Sequence, residues 1–224
     1  MRIDFHAHIL PGMDHGCENV AMSLEQLNLA SDQQIDMIIA TSHFYPHIES
    51  ARDFLCRRRA AYQSLKEAMV GLNPSIKLGA EVLICNRLDK MEEIKELCIE
   101  DSNVLLIEMP MKKYWDQNLI DTLLRLRDAQ GLDVIIAHGE RYPEREMEKL
   151  LGRGFQIQLN VSSTARLFLS SFVKKSIERN TVAALGSDIH GLNNSYKDFT
   201  RSMNKLGDRG ERIMEKTRIL VLGK

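Results

Sequence analysis

The sequence has no surplus of either charge: 30 Lys and Arg stand against 31 Asp and Glu, a formal net charge of −1 over 224 residues. Without a basic excess there is little to neutralise a nucleic-acid backbone, which argues against non-specific DNA or RNA binding. No apolar run approaches the ~20 residues of a membrane span. The opening segment, MRIDFHAHILPGMDHG, turns polar too early for a secretory signal and predicts a cytoplasmic protein. The four cysteines, Cys17, Cys56, Cys85 and Cys98, form no Cys-x-x-Cys pair, so neither a zinc ribbon nor a disulfide framework is indicated. None is followed six positions later by Arg, so the phosphate loop of cysteine phosphatases is missing. Neither a Gly-x-Ser-x-Gly elbow nor a Walker A loop occurs. No Pro- or Gly-rich linker, low-complexity tract or repeat divides the chain. With 44% hydrophobic and 27% charged residues, the chain reads as one globular domain spanning residues 1–224.

What is there is an alternation of short β-branched runs and longer amphipathic stretches. Strands are predicted near Arg2–Phe5, Ile35–Thr41, Lys77–Ile84, Asn103–Glu108, Leu132–His138, Phe155–Asn160 and Val182–Asp188, bounded by Gly, Pro, Ser or Asn. Helical spacing of apolar residues predicts helices over Met22–Asp32, Ala51–Val70, Gln117–Gln130, Leu167–Arg179 and Asp208–Val221, with another opening at Pro143. The Gln117–Gln130 helix stops at Gly131. Seven such strand–helix repeats predict a parallel α/β sheet, and right-handed crossovers would curl it into a barrel.

The chemistry sits at the strand ends. His6 and His8 follow the first strand two residues apart, so both rings face one side. His43 follows the second strand, Glu81 interrupts the third, and Glu108 ends the fourth. His138 ends the fifth, and Asp188-Ile189-His190 ends the last with the same two-residue spacing. In a β/α barrel these ends form one rim, where side chains distant in sequence meet. A single His at a strand end is more often a hydrogen-bonded core residue than a ligand. The same chemistry at nearly every strand end points instead to a polynuclear metal site. Imidazole and carboxylate without thiolate suit Zn, Mn or Fe. His47 has no matching partner and reads as a rim residue. The run Arg57-Arg58-Arg59 reads as a solvated helix face.

The segments IDFHAHILPGMDHG, IIATSHFYP, LGAEVLI, LLIEMP, VIIAHGERYP, QIQLNVSS and ALGSDIHGLN, over residues 3–193, resemble the PHP (polymerase and histidinol phosphatase) superfamily. The closest resemblance is to its bacterial CpsB/YwqE-like tyrosine-protein phosphatase branch, found with capsule and exopolysaccharide synthesis. That resemblance implies a distorted seven-stranded β/α (TIM-like) barrel holding two or three divalent ions, with Mn2+ favoured and Fe or Zn as alternatives. By position it implies a first metal on His6, His8, Glu81 and Asp188. Glu81 would bridge to a second on Glu108 and His138, and a third would lie on His15, His43 and His190. His15 stands where many relatives carry Asp. Arg141, in His138-Gly139-Glu140-Arg141, would bind phosphate. A second Arg that relatives often carry after Asp-x-His is absent from Gly191–Lys197.

The implied reaction is hydrolysis of phosphotyrosine by a metal-activated water, with Arg141, His138 and Asp188 as catalytic residues. The implied substrate is a phosphotyrosine-containing protein such as the tail of a bacterial tyrosine kinase. No nucleic acid or membrane insertion is implied, and a homo-oligomer is possible. Glu140 is one candidate for protonating the leaving group. Two alternatives stay open: a small-molecule phosphoesterase of the histidinol-phosphatase type, and a non-catalytic, metal-bound regulatory module.

Overall fold

A computed structural model describes residues 1–71, 74–193 and 195–223. Asn194, in the segment read as lacking the second Arg, lies outside them. The strands are β1 (Ile3–Ala7), β2 (Met37–Ala40), β3 (His43–Phe44), β4 (Ser75–Leu78), β5 (Glu81–Leu83), β6 (Val104–Glu108), β7 (Asp133–Ile136), β8 (Gln156–Asn160) and β9 (Val182–Gly186). The helices are α1 (Val20–Asp32), α2 (Ala51–Ala68), α3 (Gln117–Asp128), α4 (Glu144–Leu151), α5 (Val161–Thr164), α6 (Ser171–Glu178), α7 (Ser195–Leu206) and α8 (Asp208–Leu222).

Every strand pair is parallel, as the strand–helix alternation requires. Two sheets stand where the sequence predicts one ring: β1-β2-β4, and β3-β5-β6-β7-β8-β9. The predicted strand Ile35–Thr41 holds β2 alone, with β3 a separate short strand just past its end, and the predicted strand Lys77–Ile84 breaks in the middle into β4 and β5. At the break between β2 and β3 the Thr41 hydroxyl accepts from the Ala7 N–H at 3.1 Å, so a side chain replaces a backbone ladder partner. At the break between β4 and β5, a Cβ on Gly79 would press against Ile39 and Ile99 at 3.3 Å. The register survives both breaks. Met37 pairs with Ser75 and His43 with Glu81, each 38 residues apart. Beyond the two sheets, the Asp188 N–H donates to the His6 carbonyl at 2.7 Å and the His8 N–H to the Ile189 carbonyl at 3.2 Å.

Local signals explain the helices. Asn19, Ser50, Asp116 and Ser170 each cap a helix by accepting an orphan N–H of its first turn. The apolar positions of each helix pack onto the strands, and Phe5, Ile38, Ile39 and Leu27 are fully buried. Helix α7 falls where no helix is predicted, and it buries Tyr196, Phe199, Met203 and Leu206. Helix α6 begins only at Ser171, so the start predicted at Leu167 is a loop. The Arg57–Arg59 run is a solvated face at Arg57 and Arg59 but not at Arg58. Arg58 is buried and donates to the carbonyls of Gly79 and Glu96, at 2.7 and 3.0 Å, while Arg57 binds Glu49. Among the described residues, no helix is long and apolar enough to cross a membrane.

Candidate metal centre

The strands deliver their polar ends to one place. His6 lies on β1 and His8 just beyond it, both wholly buried, as is Glu81 at the start of β5. Two glycines make room for them. A Cβ on Gly186 would lie 2.5 Å from the His6 Cβ, and one on Gly16 would collide with His8. Only glycine tolerates approaches this close.

Glu81 is the hub. Its Oε2 lies 3.2 Å from His6 Nε2, 3.3 Å from His8 Nε2 and 3.0 Å from His43 Nδ1, and its Oε1 lies 2.8 Å from His138 Nε2. Glu108 stands 3.9 Å from both His43 and His138. The Asp188 Oδ1 lies 3.6 Å from His6 Nε2, 3.5 Å from His8 Nε2 and 3.4 Å from His190 Nδ1. Three triads bring donor atoms close enough to share an ion: His6 with His8 and Glu81, His43 with Glu81 and Glu108, and His8 with His43 and His190. His15 is in none of them. It is exposed, and its ring stacks on His43 and His190 at 4.9 and 4.3 Å. His47 is exposed and touches only Tyr45.

The fit to a cation follows from where the ring protons go. His6 Nδ1 faces the Gln158 Oε1 at 3.1 Å, and His8 Nδ1 faces the Asp14 Oδ2 at 2.8 Å. Both acceptors can take a ring proton at Nδ1, which turns each Nε2 toward the cluster. Those two Nε2 atoms stand 3.1 Å apart, beside Glu81 and Asp188. Imidazoles and carboxylates buried this closely suit a cation shared among them, since buried charge without a partner costs several kcal/mol or more. The His190 Nε2 and Glu81 Oε2 are likewise buried without a hydrogen-bond partner.

Electrostatics follow the same pattern. Burial opposes charge on Glu81, but His6 and the bonds from His138 and His43 pull its carboxyl well below the usual range. Burial opposes charge on His6 too, and Glu81 and Asp188 overcome it, raising the ring to about 8. Asp188 is driven far down, against burial, by His6, His8 and Arg141. Glu108 is pushed up to about 6 by burial and by Glu81. Glu140 is pushed up to about 7, chiefly by burial.

Two ligand candidates have unusual backbone. His138 has φ +33° and Asp188 φ +50°, in the left-handed region that costs a non-glycine residue roughly 1–3 kcal/mol. The Gln158 Oε1 holds His138 by accepting its N–H at 2.7 Å. Gln158 Nε2 then donates to Asn160 at 2.8 Å, and Asn160 Nδ2 to Asp188 at 2.9 Å. This relay, with Asp4, Asp14 and Ser187 behind it, is what the sequence reading missed. The signal was present: Gln158 and Asn160 are buried and alternate with Ile157 and Leu159 along β8.

Arg141 is on a short 3-10 helix, Gly139–Arg141, with its NH2 2.5 Å from the Asp188 Oδ2. Its side chain is 45% exposed, so part of the guanidinium is open to solvent at the mouth of the cluster. Tyr45 stacks on His43 at 5.1 Å and forms part of that mouth. Size is a poor guide to the site: a groove of about 730 Å³ along α2, lined by Arg52, Cys56 and Arg59, contains none of these groups. The cysteines are free, and burial pushes the Cys17 and Cys98 thiols up to about 11, away from nucleophilic thiolate.

Known proteins agree with this geometry. The chain is 29% identical over 202 residues to Tyrosine-protein phosphatase YwqE of Bacillus subtilis (strain 168), covering 85% of this chain and 78% of that protein. It superposes with a TM-score of 0.79 and 23% identity on a chain from the crystal structures of YwqE from Bacillus subtilis and CpsB from Streptococcus pneumoniae, described as metal-dependent tyrosine phosphatases. That match covers 98% of this chain and 94% of the other. A Xaa-Pro dipeptidase shares the fold more distantly, with a TM-score of 0.52 and 11% identity over 98% of this chain and 74% of its own. The family model described as "Capsular polysaccharide synthesis, CpsB/CapC" matches residues 2–219, so the chain belongs to the CpsB/CapC family.

Proposed function

We propose that this chain is a metal-dependent protein-tyrosine phosphatase that regulates capsular or exopolysaccharide synthesis. The observation that carries the reading is the convergence of the His6 and His8 Nε2 atoms, 3.1 Å apart and flanked by Glu81 and Asp188. The residues that would hold two or three divalent ions are His6, His8, His15, His43, Glu81, Glu108, His138, Asp188 and His190. Mn2+ is the favoured ion, with Fe or Zn as alternatives. Such ions supply an activated water and offset charge on the phosphoryl oxygens.

The chain's own groups do the rest. Arg141 offers its open N–H groups to the phosphate while Asp188 fixes the other side of the guanidinium. Asp188 in turn is held by Asn160. His138 is aimed through its bonded backbone N–H, so its Nε2 stays on Glu81. The departing phenolate has a pKa of about 10, so it needs only modest protonic help.

The two sheets act as one distorted seven-stranded β/α barrel over a single domain, residues 1–224. The 38-residue offset carries the pairing across both breaks, and the bonds from Asp188 and His8 link the first strand to the last. The substrate would be a phosphotyrosine protein, such as a bacterial tyrosine-kinase tail, met in the cytoplasm. The test is release of phosphate from an aryl phosphate and a phosphotyrosyl peptide by the manganese-loaded protein. Turnover of both, lost in His138→Ala, is the expected result. Silence on both substrates from neutral to alkaline pH overturns the reading.

A further inference from the structure

Beside Arg141, outside the histidine cluster, lies a second cavity of about 330 Å³. Arg141 and Glu140 form one wall, and Ser162, Ser170 and Arg166 form the other. None of the imidazoles, nor Glu81, Glu108 or Asp188, lines it, so an occupant would be distinct from the phosphoryl group held at the cluster. Arg141 and Arg166 line it against one carboxylate; Arg141 is paired with Asp188, so Arg166 is the uncommitted cation, and Glu140 accepts from the Asn160 N–H at 3.2 Å. Arg166 is exposed, and among the described residues its guanidinium has no hydrogen-bond or ion-pair partner. Ser170 presents the capped N-terminus of α6 to the same space, adding a partial positive charge.

The loop that carries Arg166 is anchored by its backbone. Lys205 Nζ, from α7, donates to the carbonyls of Arg166 and Leu167. The side chains are therefore turned outward on a fixed support. Leu167 and Phe168, next to Arg166, are each 83% exposed. Other large exposed apolar residues, Ile48, Met111, Tyr114 and Leu192, also lie on loops after the strands, around the same mouth. Among the described residues the exceptions are Met1, Val70 and Ile219. The basic residues on these loops are Lys112, Lys113, Arg141 and Arg166, and the acidic ones Glu49, Asp116, Glu140 and Asp188; Glu49 is taken by Arg57, Asp188 by Arg141, and Asp116 caps α3, which leaves Lys112, Lys113 and Arg166 against Glu140. A positive and apolar rim fits an acidic polypeptide better than a small phosphate ester.

We propose that the Arg166 cavity is a second anion subsite, which takes an acidic group on the polypeptide beside the phosphotyrosine. The inference rests on the phosphatase reading and names its substrate class: phosphotyrosine flanked by acidic residues or by a second phosphate. Arg166 is a specificity-determining residue here, with no part in the phosphoryl transfer itself.

The test uses the metal-loaded full chain, an aryl phosphate, and phosphotyrosyl peptides of equal length. One peptide set carries Glu beside the phosphotyrosine on either side, one carries Gln there, and one carries a second phosphotyrosine. The unsubstituted protein should favour the acidic peptides about tenfold in kcat/KM, mainly through KM, which is the scale of one charge-assisted bond. Arg166→Ala should bring the Glu-to-Gln ratio close to one, Arg166→Lys should keep part of it, and Arg166→Glu should reverse it. A neutral loss of stability cannot move that ratio selectively. Equal rates of the unsubstituted protein on Glu and Gln peptides overturn the subsite while leaving the phosphatase reading intact. So does a ratio that survives Arg166→Ala. A fall of the aryl phosphate together with every peptide in Arg166→Ala also overturns it, because Arg166 would then grip the reacting phosphate. Inertness of the unsubstituted protein toward the aryl phosphate and all peptides removes both readings together. The doubly phosphorylated peptide tells which anion the subsite prefers.

Discussion

The inner and outer halves of the histidine cluster are held by different means. His6, His8 and Glu81 are wholly buried, and the far nitrogen of each ring is bonded to Gln158 or Asp14. Strand register and two glycine contacts set their positions. His15 and His190 sit on loops, stacked at 4.3 Å, with His15 exposed. Asp14, bonded to the His8 ring and to the His43 and Gly16 N–H groups, braces the backbone beside His15, but among the described residues the exposed His15 ring itself makes only stacking contacts. The inner half is therefore enclosed on every side, whereas the His15 ring has room to move. Rigid preorganisation suits metal binding, and adjustable loops suit a variable polypeptide substrate.

The sharpest way to break this contrast is at its hub. Glu81→Gln should remove metal and cut turnover by at least ~10³-fold, because the carboxylate is shared among four rings. Elemental analysis beside an aryl-phosphate assay checks it, and near-normal metal content would put the hub elsewhere. Arg141→Ala removes the half-exposed guanidinium and its ion pair to Asp188, but no proposed metal ligand. It should lower kcat by roughly 10²–10³-fold while metal content holds, as for other preorganised oxyanion donors. Dialysis against a chelator tests whether ions brace the inner half. A ligand at 100 times its Kd stabilises by about 2.7 kcal/mol, so the melting midpoint should fall and return on adding Mn2+. Gly186→Ala forces a methyl group against His6 and should cost about 1–3 kcal/mol in urea unfolding. An unchanged midpoint would mean that the inner half yields after all. The smallest effect belongs to the outer half: His15→Ala should reduce turnover less than about tenfold, since its ring is exposed and stacks on the cluster from outside. A loss as large as that of Glu81→Gln would make the two halves equal.

Much of this was legible in the sequence because the chemistry rides on strand ends. Two-residue spacing announced His6 with His8, and Asp188 with His190, although only His6 lies on a strand and Asp188 sits in a left-handed turn. Register was not legible. That Glu81 meets His43 depends on the 38-residue offset, which no local pattern encodes. The breaks after Ala40 and Leu78 were also hidden, because Thr41 and Gly79 act through contacts with Ala7, Ile39 and Ile99. Helix α7 was readable and overlooked: Tyr196, Phe199, Met203 and Leu206 recur at helical spacing within a mostly polar segment. The Arg57–Arg59 run misled because charge says nothing about which neighbour offers a carbonyl, and Arg58 found two. The polar relay through Gln158 and Asn160 went unseen because amides carry no reactive signature until their partners are known.

The left-handed turns at His138 and Asp188 have a consequence for how this surface can change. Each ligand lies two residues past the end of a strand, where the backbone turns sharply. Insertions or replacements beyond Gly139 or Ile189 would bend about that pivot without dragging the ligand along. The mouth can thus be rebuilt loop by loop for new polypeptides while the ion-holding floor beneath it keeps its shape.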